Sequence, residues 1–448
     1  MNITLFIFLL FVLQAIYWLI GKRASKQIQN KEDYFLAGKN VTFFPLMMTF
    51  LATQIGGGAV LGAAEESFHF GWPALFYPLG IALGLIVLGL GIGRKLAQFS
   101  VSTVAHIFEV AYGSVWLRRT ASALSILSLF MILVAQIIAS SKFLVSLGFT
   151  STPLFIAFWA IVILYTAQGG LKAVISTDLV QAAFFSIVFL LSFAFVFFGS
   201  ASSMSLPQCT HFAAISSKFT GWLLMPLLFM LIEQDMGQRC FAGASSRVVS
   251  KAAFWAGVST LVICMVPVFF GSLAKSTGLQ VPPGGSVLMA SIAHLTNPWM
   301  SALVGCAVLA AIISTATSLI NAISSNLLND FPFARFPLRT VKGITCAISI
   351  SAIFFAFYFD NIVDLLIQSY ELSVSCLFVP IFIALFKKRC NASSAWMAIL
   401  FGAVGFCLFR VYPLTLPKEI SSIFLSLLGY SSGELIAYYK TKKMEEAA

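Results

Sequence analysis

Charge is what this sequence lacks most. Only 10% of its 448 residues are charged, and just 16 are acidic. A soluble domain carries about 25% charge, so there are too few polar groups to coat a water-facing surface. With 59% hydrophobic residues and a mean hydropathy of +0.95, the chain is expected to be a polytopic membrane protein without room for a sizeable soluble domain. The eight cysteines show no paired spacing, and Cys209 alone falls in a predicted outer loop, which excludes a disulfide framework or metal knuckle. The four histidines (His69, His106, His211 and His294) sit in or beside predicted loops without ligand spacing. No phosphate-binding glycine loop or nucleophile elbow occurs. A membrane-embedded enzyme such as a lipid-modifying transferase would need His, Asp or Arg clustered at one interface, and no such cluster is found. The sequence therefore points to no enzyme and no cofactor. Residues 1–6 also lack a basic n-region, and Lys22, Arg23 and Lys26 follow the first apolar run instead. That order is expected of a retained helix with its N-terminus outside, not of a signal peptide.

What is abundant is apolar sequence. Thirteen spans are expected, near 2–20, 42–65, 71–93, 119–147, 152–168, 176–199, 218–240, 250–273, 299–328, 340–359, 361–386, 393–412 and 418–439. With the N-terminus outside, 22 of the 27 Lys and Arg fall on the cytoplasmic side, leaving Lys142, Lys218, Lys275, Arg410 and Lys418 elsewhere. This is the positive-inside pattern, so the net charge of +11 is a topology signal rather than a nucleic-acid footprint. It also puts the C-terminus inside and discounts the sequon Asn391-Ala-Ser393 as cytoplasmic. The 45 phenylalanines read as lipid-facing and core filler. Residues 99–112 are compatible with a short interfacial helix. The outer segment 274–298 reads either as a cap over a vestibule or as a plain surface loop.

One apolar run is interrupted. Gly56, Gly57 and Gly58 stand together in the middle of 48–63, each costing about 1 kcal/mol against alanine in a helix. Backbone freed at that depth is tolerated only against protein or a water-filled cavity, so 52–58 is expected to be a broken helix lining an ion and substrate site. A second stretch, 308–325, places Ala311, Ser314 and Thr315 on one helix face. Their carbonyl and hydroxyls are hard oxygens fit for a small alkali cation. The competing reading is that the hydroxyls bond their own helix carbonyls or ease close packing. Intramembrane acids are costly. Glu65 and Glu66 suit a solvated helix end. Glu233 and Asp235 suit either an ion pair with Arg239 or solute contact, and Glu371, near mid-span, suits polar gating or solute contact.

Five stretches together resemble the sodium/solute symporter family, which includes proline permeases and sodium/glucose cotransporters. They are Asp33-Tyr-Phe-Leu-Ala-Gly-Lys39, the break beginning at Ala52, the block Gly169 to Gln181, Glu233-Gln-Asp-Met-Gly-Gln-Arg239, and Ala311 to Thr315. Ala384 to Asn391 adds to the likeness, which runs from about Glu32 to Gly402. The resemblance implies an all-α, leucine-transporter-type fold of two inverted five-helix repeats. Residues 1–41 would hold a leading helix and loop, 42–199 the first repeat, 200–217 an outer loop, 218–387 the second repeat, and 388–448 two peripheral helices and a tail. It also implies a sodium-coupled symporter in the cytoplasmic membrane, with sodium held by the carbonyls of Ala52, Ile55 and Ala311 and the hydroxyls of Ser314 and Thr315. Side chains that would choose a sugar or proline are absent, which leaves a small polar or carboxylated solute. Its contacts are expected among Gln54, Glu233, Gln234 and Glu371, with Gly56 and Gly57 making space. The alternative within the same fold is coupling to protons, or exchange, with Glu371 or Glu233 titrating.

Overall fold

The computed structural model describes residues 2–445, apart from 27, 29, 150, 200–211, 332–336, 388–389 and 413–414. Most of the expected 200–217 loop, with Cys209 and His211, therefore lies outside the described residues, as do Arg335, Lys388 and Arg389. What is described is almost wholly helical, because a chain this apolar satisfies its backbone most simply within single helices. The helices that matter here are α1 (Ile3–Ser25), α2 (Phe43–Gln54), α3 (Ala63–Phe70), α4 (Phe76–Val87), α5 (Val115–Ser146) and α6 (Thr152–Gly199). They continue as α7 (Phe212–Phe229), α8 (Gln234–Ala242), α9 (Ser246–Ser276), α10 (Val287–Leu295) and α11 (Pro298–Asp330). The last are α12 (Leu338–Phe355), α13 (Ile362–Ser373), α14 (Val379–Phe386), α15 (Ala392–Val411) and α16 (Lys418–Glu445).

Among the described residues, nine helices are long and apolar enough to cross a bilayer. A tenth is obtained if Phe43–Gln54 and Gly58–Phe70, bent by 59°, count as one span. The chain is thus a multi-pass membrane protein. Three of the thirteen expected spans differ in form. Residues 152–168 run into the next helix across a kink at Gly170, 218–240 is divided after Phe229, and 340–359 falls within α12 and a short turn. The kink has a clear cause. Gly170 takes φ 57°, and a Cβ there would meet the Tyr34 ring and carbonyl at 2.7 Å, so no larger residue fits.

Burial identifies the centre. In α11, 94% of the most apolar window is inside the protein, against 11% for α1 and 33% for each of α15 and α16. The central helix carries small residues (Ala307, Ala310, Ala311, Ser314, Ser318 and Ala322, all buried) that let its neighbours approach closely. The short segment His106–Tyr112 is helical. The segment 274–298 contains α10, whose buried face and Ser291 hydroxyl bond to the Phe270 carbonyl seat it on α9.

Candidate functional site: two helix breaks facing across the central helix

Helix α2 stops at Gln54, and Ile55 leaves the helical region at φ −88°, ψ 78°. After Gly56 and Gly57 the chain resumes in a wide π turn, Gly58–Gly62, before α3. The freed groups find partners across helices. The Ser314 hydroxyl donates to the Ala52 carbonyl at 2.9 Å and to the Ala311 carbonyl at 2.9 Å. Thr315 Oγ1 lies 3.0 Å from the Thr53 carbonyl, 3.3 Å from that of Ala52 and 3.2 Å from that of Ala311. These hydroxyls back-bond their own helix and also reach across to the break. Gly57 N–H donates to Gln136 Oε1 of α5 at 2.7 Å. A Cβ on Gly57 would collide with the Ala139 methyl, and one on Gly56 would press on Thr315 and Gln136. These glycines therefore permit close approach as well as the break itself.

The second interruption follows α7. Turns 230–233 close on the carbonyls of Pro226, Leu228 and Phe229, and Glu233 is extended at φ −66°, ψ 138° before α8 begins. The two breaks meet: Gln54 Nε2 donates to Glu233 Oε2 at 3.3 Å. Arg239, fully buried, does not pair with the carboxylates of Glu233 or Asp235. Its guanidinium lies 3.4 Å from Asp178 Oδ2 and donates to Thr49 Oγ1 at 3.0 Å, to Ser318 Oγ at 2.6 Å and to the backbone carbonyl of Asp235. Thr49 completes the cluster by donating to Asp178 Oδ2 at 2.5 Å.

Between the breaks lies a cavity of about 20 Å³, room for about one water molecule. Gln54, Gly56, Gly58, Gln136, Glu233, Asp235 and Thr315 line it, with Tyr77 of α4 and Tyr370 of α13. Two expected contacts point elsewhere. Gln234 accepts a bond from Val104 N–H at 2.7 Å. Glu371 is bound by Arg410 at 3.0 Å and by Lys418 at 3.5 Å, on the two trailing helices. Ion pairs tie both ends of the bundle. At one end Glu65 meets Lys142 at 2.7 Å and Glu66 meets Lys218 at 3.5 Å. At the other Arg118 joins Glu109 at 2.6 Å and Asp330 at 2.7 Å, and also reaches the Asn329 carbonyl. Gln136, Tyr77 and Tyr370 were not singled out from sequence. Gln136 leaves one signal, a lone amide inside an apolar run, whereas the tyrosines leave none.

Comparison with known proteins agrees with this architecture. The profile of the sodium:solute symporter family matches residues 34–402. High-affinity choline transporter 1 of Drosophila melanogaster is 24% identical over 344 residues, 70% of this chain and 54% of that protein. Its namesake from Torpedo marmorata is 25% identical over 359 residues, 72% of this chain and 60% of that protein. The chain thus spans little more than half the length of the curated relatives it matches. Among solved structures, a Na+-coupled sialic acid symporter in its substrate-bound outward-open state superposes with a TM-score of 0.73 at 18% identity, covering 96% of this chain and 97% of that one. MHP1, a nucleobase-cation-symport-1 family transporter closed on bromovinylhydantoin, gives 0.63 at 14% identity over 92% and 96%. These likenesses show the fold.

Proposed function

The chain belongs to the sodium:solute symporter family, and from that premise we propose that it is a sodium-driven symporter importing a small polar solute by alternating access. The observation that carries the reading is the convergence of Ser314 and Thr315 on the carbonyl freed at Ala52. Sodium would take the carbonyls of Ala52, Ile55 and Ala311 and the hydroxyls of Ser314 and Thr315. Each hydroxyl would turn its proton away and offer a lone pair. Because Ala52 belongs to the broken helix and Ser314 to the central one, an ion held by both favours whichever arrangement keeps them together. It shifts the conformational balance only as far as it binds that state better.

The solute would sit beside the Gly56–Gly58 break, next to Gln54 and Glu233. The two interruptions would be equivalent points of inverted repeats at 42–199 and 218–387. The protein would lie in the cytoplasmic membrane with its N-terminus outside and C-terminus inside. Reconstitution tests the reading: solute uptake into proteoliposomes should require an inward sodium gradient. Equal uptake in potassium at fixed pH would overturn it in favour of proton coupling or exchange.

A further inference from the structure

Both helix starts beside the cavity already face protein oxygen. The N-terminus of an interrupted helix is where a transporter ordinarily receives an anionic group, because unpaired N–H groups and the helix dipole point there. In this chain the Gly57 N–H is occupied by Gln136 Oε1 at 2.7 Å. At the second start, Glu233 is the residue before α8 and its side chain makes no capping bond, while Asp235 lies in the first turn. A carboxylate entering from the cavity would meet an oxygen at either end.

From this arrangement we propose that the transported solute is a net organic cation, an ammonium or guanidinium, with its charged head against Glu233 and Asp235. The proposal rests on the symport reading above and names the class of its solute. Charge accounting supports it. Three carboxylates, Asp178, Glu233 and Asp235, are buried within this region, and Arg239 is the guanidinium beside them. That guanidinium is committed to Asp178, Thr49 and Ser318. Glu233 receives the neutral Gln54 amide at 3.3 Å and lies against the carboxyl of Asp235. The dipole of α8 offsets about half a charge at most. Buried acids so placed either share a proton or take a positive partner, and the cavity they line is open to such a partner but not to an anion.

The rest of the wall suits a cation with a hydrocarbon body. Tyr77 and Tyr370 offer aromatic surface, the latter stacked on Phe229 at 4.6 Å, and aromatic faces attract ammonium groups. Ile132, Leu319 and Leu366 supply the apolar remainder.

Thermal unfolding of the full-length protein in detergent and sodium buffer tests the proposal. The probes are ethanolamine, guanidine and choline as cations, betaine as zwitterion, glucose as neutral solute and pyruvate as anion. At least one cation should raise Tm, and glucose and pyruvate should not. That cation should bind about 30-fold or more weakly to Glu233→Gln and Asp235→Asn, while sodium alone still stabilises both variants. Stabilisation by betaine, glucose or pyruvate with none by any cation would overturn the proposal, as would unchanged cation affinity in both variants. Should a variant fail to fold, the wild-type comparison among probes decides alone. A cation effect without any sodium effect would support this proposal and overturn the symport reading instead.

Discussion

Gln54 and Glu233 join the two interrupted helices through one hydrogen bond of 3.3 Å, at the point where each helix stops. The bond is buried, so its removal leaves a carboxyl oxygen without its donor. Orphaning a buried polar group costs about 1–3 kcal/mol. Gln54→Leu should therefore weaken solute affinity by roughly 5- to 150-fold, read as KM in proteoliposome uptake, with sodium binding retained. Unchanged KM would mean that the two breaks are not coupled through this pair.

Gly57 is held between Gln136 and Ala139, with no space for a methyl group. Gly57→Ala should cost about 1–3 kcal/mol by overpacking and abolish transport. The double variant Gly57→Ala with Ala139→Gly should recover much of the lost thermal stability. Failure to recover would place the strain in the backbone rather than at this contact.

The buried pair of Arg239 and Asp178 predicts an asymmetric result. Arg239→Met strands a buried carboxylate and should destabilise by about 3–5 kcal/mol. Adding Asp178→Asn removes the stranded charge, so the double variant should unfold at a higher temperature than the single one. An equal or lower Tm would show that the guanidinium acts mainly through Thr49 and Ser318.

Glu371 separates a structural role from solute contact. Bound to Arg410 and Lys418, it docks the trailing helices α15 and α16 onto α13. Glu371→Gln should lower Tm by weakening that docking and leave solute KM unchanged. A raised KM with unaltered Tm would return it to the solute's path.

The features legible in the sequence were those that stand out locally. Three glycines in an apolar run announce a break, and hydroxyls at 314 and 315 announce a polar face on an otherwise apolar helix. Partners chosen across helices were not legible. Arg239 lies one turn from Asp235, yet it pairs with Asp178, 61 residues away. Helix spacing brings Arg239 and Asp235 to the same side, but helix rotation in the bundle decides which carboxylate is reached. Gln234 and Glu371 escaped for the same reason, since each faces away from the cavity toward a segment that only the tertiary packing supplies. The stretch 152–199 shows a related limit: two separate spans were expected there, and nothing in the sequence announces that Tyr34 packs against the Gly170 backbone where they join across a kink.

The most direct test of the account is the sodium dependence of thermal unfolding in wild type and in the Ser314→Ala, Thr315→Ala double variant. Sodium replacing potassium should raise the wild-type Tm in a saturable way, and the double variant, still folded, should show no such rise. An equal rise in both proteins, or none in the wild type, would contradict a sodium site built from the Ala52 break and the central helix.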